Sequence, residues 1–159
     1  LFVGVVYGGG LIPFLALLRN QREGLGSALL ALFCTWGADT GAYFAGRLFG
    51  KHKLYPVVSP GKTIEGVFGG VVFSIAVAFL IRALLGLSLS GLSAIVIGLL
   101  GALMGLLGDL SESLVKRSVG VKDSSQLIPG HGGVLDRFDA VLFVAPTVYA
   151  YLAILPREG

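Results

Sequence analysis

Between positions 109 and 139, acids and bases are interleaved at close spacing. Asp109, Glu112, Ser113, Lys116 and Arg117 come first, then Lys122 and Asp123, then a Pro-Gly-His-Gly-Gly run over 129–133, then Asp136, Arg137 and Asp139. Asp109, Glu112 and Lys116 stand at i, i+3 and i+7, so a helix would present them on one face. Asp136 and Asp139 repeat the i, i+3 spacing just ahead of an apolar stretch. Two acidic helix ends that meet could hold a hard cation through oxygen ligands. Mg²⁺ takes one or two carboxylates and leaves its other positions to water and substrate phosphate. The same residues also suit simple helix-end charge with i, i+4 pairs. The excess of charge beside hydrocarbon, where unpaired charges are costly, favours a site. Three glycines in five residues make 129–133 a tight irregular turn. Such a turn can aim N–H groups at an anion, with His131 either donating to a phosphate or capping the turn.

Two further places carry chemistry. The 56–66 connection reads Pro56-Val-Val-Ser59-Pro60-Gly61-Lys62-Thr63-Ile-Glu65-Gly66. Its Gly-Lys-Thr mimics the end of a phosphate-binding Walker loop, but that motif requires glycine where Pro56 stands, and no apolar strand precedes it. A basic, Gly/Pro-stiffened loop that feeds a helix N-terminus remains, suited to phosphate and equally to acidic lipid heads. Asp39 lies within an apolar stretch, with Tyr43 and Arg47 at i+4 and i+8. A carboxylate in such a place either serves a site or is held structurally by Thr, Tyr or Arg neighbours. A lone cysteine, Cys34, and two histidines exclude a disulfide framework, a cysteine-based zinc site and a histidine-rich metal site.

These residues must be positioned by membrane helices. Only 13 % of the 159 residues are charged and 55 % are hydrophobic, against about 25 % charged in a soluble domain. Mean hydropathy is +0.87. An ordinary soluble enzyme, a disordered chain and a nucleic-acid binder are excluded, the last because a net charge of +3 supplies no basic face. The 25 glycines, against a usual share of roughly 7 %, suit helices packed backbone to backbone. Small-xxx-small pairs at Gly37/Gly41, Gly66/Gly70 and Gly101/Gly105 are the candidates for that packing. A span needs about 20 apolar residues, and five stretches qualify or come close: 1–18, 24–46, 66–81, 92–108 after a turn near 87–91, and 140–155, which contains Pro146. The expected fold is therefore all-α, a polytopic bundle of about five transmembrane helices forming a single domain over 1–159. Alternating connections put Arg47, Lys51, Lys53, Lys62, Lys116, Arg117, Lys122 and Arg137 on one side, and Arg19, Arg22, Arg82 and Arg157 on the other. The positive-inside bias makes the first side cytoplasmic. The chain opens inside an apolar run without Met, so a truncated family member is expected, and no cleavable signal peptide.

The pattern Ser113-x-x-Lys116-Arg117-x4-Lys122-Asp123-x5-Pro129-x-His131-Gly-Gly-x-x-Asp136-Arg137-x-Asp139 resembles the signature of the phosphatidate cytidylyltransferases, or CDP-diacylglycerol synthases. The Ser-Pro-Gly-Lys-Thr-x-Glu-Gly loop and the Asp39-Thr-Gly-Ala-Tyr43-x-x-Gly46-Arg47 segment resemble two further blocks of that family, in the same order. The resemblance covers essentially the whole chain and implies the C-terminal catalytic part of a longer protein. It implies transfer of a cytidylyl group from CTP to phosphatidate with Mg²⁺, a second cation being compatible with three carboxylates. It also implies a homodimer among membrane lipids, in a bacterial inner membrane with the site facing the cytoplasm. On this resemblance Asp109, Asp136 and Asp139 would be metal ligands, and together with Lys122, Asp123 and Arg137 the catalytic set. Ser59, Lys62, Thr63, Lys116, Arg117, His131 and Asp39 would contact substrate. A CTP-dependent lipid kinase and a CDP-archaeol-type synthase are the neighbouring enzyme readings. A CDP-alcohol phosphotransferase is disfavoured because its Asp-Gly-x-x-Ala-Arg block is missing. A transporter or channel subunit would spread polar residues through the membrane depth, whereas here they gather at one end.

Overall fold

The computed structural model describes residues 13–21, 23–118, 120 and 135–154, the side chains of 135–138 excepted. Helix α1 spans Pro13–Arg19 and α2 Gly24–Phe49. A short antiparallel hairpin follows, β1 (Lys53–Tyr55) and β2 (Ser59–Thr63). Then come α3 (Ile64–Leu85), α4 (Gly91–Ser118) and α5 (Leu135–Ile154).

Helix placement follows local signals. Thr63 caps α3 at its N-terminus, its hydroxyl accepting from the Gly66 N–H at 3.1 Å, which satisfies one of the donors a helix start leaves unpaired. Gly86 ends α3 in the left-handed region at φ 60°, a conformation that glycine adopts without a Cβ penalty. The turn between α3 and α4 falls where the sequence places it. Helix α4 runs on past the apolar part to Ser118, so the expected face of Asp109, Glu112 and Lys116 is helical.

The all-α expectation needs one correction: the basic connection between α2 and α3 contains the hairpin, with Lys53 opposite Thr63 and Tyr55 opposite Ser59. Strands of three and five residues with an irregularity between Lys53 and Tyr55 are too short to show the alternation by which a strand is read from sequence. Pro56 and Pro60 hide them further.

Helices α2 and α3 cross in backbone contact. A Cβ on Gly41 would lie 2.6 Å from the Gly69 carbonyl oxygen, and one on Gly70 would lie 2.9 Å from that of Ala38. Ser74 on α3 donates to the Cys34 carbonyl of α2 at 3.0 Å inside this seam. Gly108 does the same for α4 and α5, since a Cβ there would stand 2.6 Å from the Asp139 carbonyl oxygen. Leu18, Leu30, Ile97, Val144 and Val148 fill the core between the helices. The opposite surfaces are apolar too: Phe68, Val72, Leu80 and Leu84 of α3 and Leu92 of α4 are exposed. Apolar exposure on this scale is foreign to a soluble monomer and natural against lipid. Among the described residues, α3 and α4 are long and apolar enough to cross a membrane.

Candidate active site

At the hairpin end of the bundle, α2, the continuous β2–α3 segment and α4 close around a cavity of about 350 Å³. Its walls come from Ala38, Asp39, Ala42 and Tyr43 of α2, from Gly61, Lys62 and Thr63 of β2, from Gly66, Val67 and Gly70 of α3, and from Ala102, Leu106 and Asp109 of α4. The volume is at the lower end of ligand pockets, roughly 300–1,000 Å³. Small side chains at 38, 42, 66, 70 and 102 create the space. The residues that let the helices approach also leave the cavity between them.

Lys62 is the central cation. Its ammonium lies 2.6 Å from Asp109 Oδ2, shielded from solvent and off line for a hydrogen bond. Asp109 Oδ1 accepts from the Ser113 hydroxyl at 3.3 Å, so both carboxylate oxygens are engaged. Asp39 opens onto the same space, within electrostatic reach of Lys62, Asp109 and Asp139. The described lining thus holds two carboxylates and one ammonium. That balance is unfavourable for a phosphate unless further positive charge arrives.

Behind Asp109, α4 meets the start of α5. Asp139 is buried, and its Oδ1 accepts from the Ala140 N–H at 2.7 Å. The buried Glu112 lies within hydrogen-bond reach of Asp139 and accepts from Lys116 Nζ at 2.9 Å. Buried charges persist when paired in this way. Lys116 therefore stands in the α4–α5 joint and does not line the cavity; Arg117 is exposed in the last turn of α4.

The hairpin is clamped at its base. Glu65, in the first turn of α3, accepts from the His52 N–H with both oxygens, at 3.3 and 3.2 Å, and pairs with His52 Nδ1 at 2.6 Å. The Ile64 N–H donates to the His52 carbonyl at 2.9 Å. This clamp fixes β2, and with β2 the placement of Lys62 over Asp109.

Of the residues expected from sequence, the structure gathers Asp39, Lys62, Thr63 and Asp109 into one cavity, with Thr63 also serving as the α3 cap. Ser59 lies four residues before Thr63 on the same strand, opposite Tyr55, and lines no part of the cavity. Lys122, Asp123 and His131 fall outside the described residues. Asp136 and Arg137 are placed by backbone alone, in the first turn of α5. Sequence reasoning assigned no role to Ser113 or to the His52–Glu65 clamp. Ser113 carried a signal, its i+4 distance from Asp109, whereas the clamp joins positions 13 apart and carried none.

The donor chemistry of Asp109 and Asp139, hard carboxylate oxygens on adjoining helices, suits a magnesium ion. Among the described residues no three acidic, histidine or cysteine side chains are grouped closely enough to hold a metal. A third ligand would have to come from a side chain outside the described set, such as Asp136.

The model of the cytidylyltransferase family matches residues 1–155. The chain is similar to the phosphatidate cytidylyltransferase of Staphylococcus epidermidis, 46 % identical over 144 residues, which cover 91 % of this chain and 55 % of that protein. The same enzyme of Staphylococcus saprophyticus is 46 % identical over 135 residues, covering 85 % and 52 %. That of Staphylococcus aureus is 44 % identical over 144 residues, covering 91 % and 55 %. The chain spans about half the length of the curated relatives it matches.

Proposed function

The chain belongs to the cytidylyltransferase family, and from that premise we propose that it transfers a cytidylyl group from CTP to phosphatidate, yielding CDP-diacylglycerol and pyrophosphate. The observation that carries this reading is the Lys62–Asp109 pair at 2.6 Å, held in a cavity that also receives Asp39. A strand, a clamp and three helices join there to set a cation and carboxylates at one apolar mouth.

In the proposed reaction an oxygen of the phosphatidate phosphate forms a bond to the α-phosphorus of CTP. The bond between that phosphorus and the bridging oxygen to the β-phosphorus breaks, and its electron pair leaves with pyrophosphate. The nucleophile is already an anion near neutral pH, so no strong base is needed. The difficulty lies in aligning two polyanions, and positioning with preorganised charge meets it. Lys62 would contact a transferring phosphate, with Asp109 holding its ammonium in place through the approach. Arg117, Lys122, Arg137 and His131 would add positive charge and donors from the 117–137 stretch, with Thr63, which lines the cavity, as a hydroxyl donor. Asp109 and Asp139, with Asp136, would hold Mg²⁺, which when bound offsets triphosphate charge. A second cation is compatible with three carboxylates.

The wider setting is part of the same proposal: about five membrane spans, the hairpin end facing the cytoplasm of a bacterial inner membrane, and a homodimer. The exposed apolar faces of α3 and α4 support the membrane setting, and the basic residues gathered at the hairpin end support its orientation.

Membranes containing the protein, incubated with phosphatidate, Mg²⁺ and CTP labelled on either the α- or the γ-phosphate, test the reaction. The α-label is expected in the lipid and the γ-label in pyrophosphate. Transfer of the γ-label to a lipid alcohol would replace this reading with a lipid kinase.

A further inference from the structure

We propose that Arg47, held by Tyr43, is the anchor for the phosphate of the lipid substrate at the mouth of the cavity; this rests on the function proposed above. Tyr43 lines the cavity, one helical turn from Asp39. Arg47, one turn further and in the last turn of α2, donates from Nη1 to the Tyr43 hydroxyl at 2.7 Å. Its guanidinium carbon lies 6.0 Å from the Tyr43 ring centroid. Among the described residues Arg47 has no carboxylate partner, while Lys62 is already committed to Asp109. A guanidinium carries five N–H donors, so Arg47 retains a fork suited to bidentate capture of a phosphate. It also supplies the positive charge that the lining, with two carboxylates and one ammonium, lacks.

The surroundings select a lipid over a soluble anion. Phe44, which packs edge-on against Tyr43 at 5.4 Å, and Leu48 and Phe49 are all exposed beside Arg47. A tyrosine–arginine pair flanked by exposed apolar side chains at the end of a membrane helix matches the headgroup boundary, where aromatic rings and snorkelling cations collect. A ligand meeting both features has a phosphate for Arg47 and acyl chains for Phe44 and Leu48. Tyr43 is then a positioning residue: its hydroxyl holds the guanidinium beside the cavity wall that Tyr43 itself forms.

The full chain, purified in detergent, provides two independent readouts. In steady-state kinetics, Arg47→Ala is expected to raise the KM for phosphatidate about tenfold or more, from loss of a charge-assisted contact, with the KM for CTP within about twofold. Arg47→Lys, which keeps charge without the fork, should fall between. Tyr43→Phe should raise the phosphatidate KM about threefold, a hydrogen bond's worth. In thermal unfolding, dioctanoyl phosphatidate should stabilise the wild type and not Arg47→Ala, while stabilisation by CTP persists in both. An unchanged phosphatidate KM in active Arg47→Ala would overturn the anchor and leave the proposed function standing. Parallel loss of both stabilisations, or equal Arg47-dependent stabilisation by inorganic phosphate, would overturn its assignment to the lipid. A wild type that makes no CDP-lipid yet shows Arg47-dependent stabilisation by dioctanoyl phosphatidate would defeat the proposed function and uphold the anchor. Should Arg47→Ala fail to fold, Arg47→Lys and Tyr43→Phe carry the same comparisons.

Discussion

The two ends of the bundle use the same device for different results. At one end Glu23 accepts from the Ser88 N–H with both oxygens, at 3.0 and 3.2 Å, tying the α3–α4 turn to the start of α2. At the other end Glu65 grips the His52 N–H in the same bidentate fashion. The first clamp joins two turns. The second closes the base of a hairpin, tying the residue before β1 to the first turn of α3, and the partner strand β2 carries Lys62 and Thr63 into a cavity. A carboxylate on a loop N–H is thus a structural device at both ends; what distinguishes them is what the clamped segment carries. Charge at a membrane surface marks a site only where the backbone aims it inward.

The strongest way to break this contrast is Asp109→Asn. It leaves Lys62 without its counter-charge and is expected to lower CDP-lipid formation about 10²–10³-fold, the scale of losing a preorganised charge at a reacting phosphate. Rates with saturating CTP and phosphatidate measure it, and an unchanged rate would remove Asp109 from the site. Next comes Gly41→Val, which forces a side chain onto the Gly69 carbonyl. A destabilisation of about 1–3 kcal/mol is expected from overpacking, seen as a lower unfolding temperature in detergent. Because the seam supports both ends, activity should fall with it.

The remaining two variants compare the clamps directly. Glu65→Ala frees the base of the hairpin and is expected to cut the catalytic rate about tenfold, the scale expected when a positioning contact is lost. Its unfolding temperature should change little, because the helix seam is untouched. Glu23→Ala is expected to cost about 1 kcal/mol or less, the net worth of a hydrogen bond, and to leave the rate within about twofold. Equal effects of the two on rate would dissolve the distinction between the ends.

Much of the helical framework was legible beforehand. Apolar run length placed α2, α3, α4 and α5, because a helix that faces lipid cannot interrupt its hydrocarbon surface, but not the polar ends of the last two: α4 continues past the apolar run to Ser118 and α5 begins ahead of it at Leu135. The hairpin was not legible: two strands this short depend on pairing with each other and on contacts such as the clamp at Glu65, which reaches across 13 residues. Of the site, Asp109 and Lys62 stood out as charged residues in suspicious company, yet nothing in their spacing of 47 positions said that they touch. Asp39 gave half of its meaning away as a carboxylate in an apolar run. The cavity that explains it forms only once α2 and α3 have crossed.

Composition and periodicity by themselves determined a helical membrane protein with its charge concentrated at one end, because solvent preference and helical spacing act locally along the chain. The tertiary structure alone decided which of those charges meet. Lys62 on Asp109 and Asp139 against Glu112 depend on how closely glycine lets the helices approach, and that distance is written in no single segment.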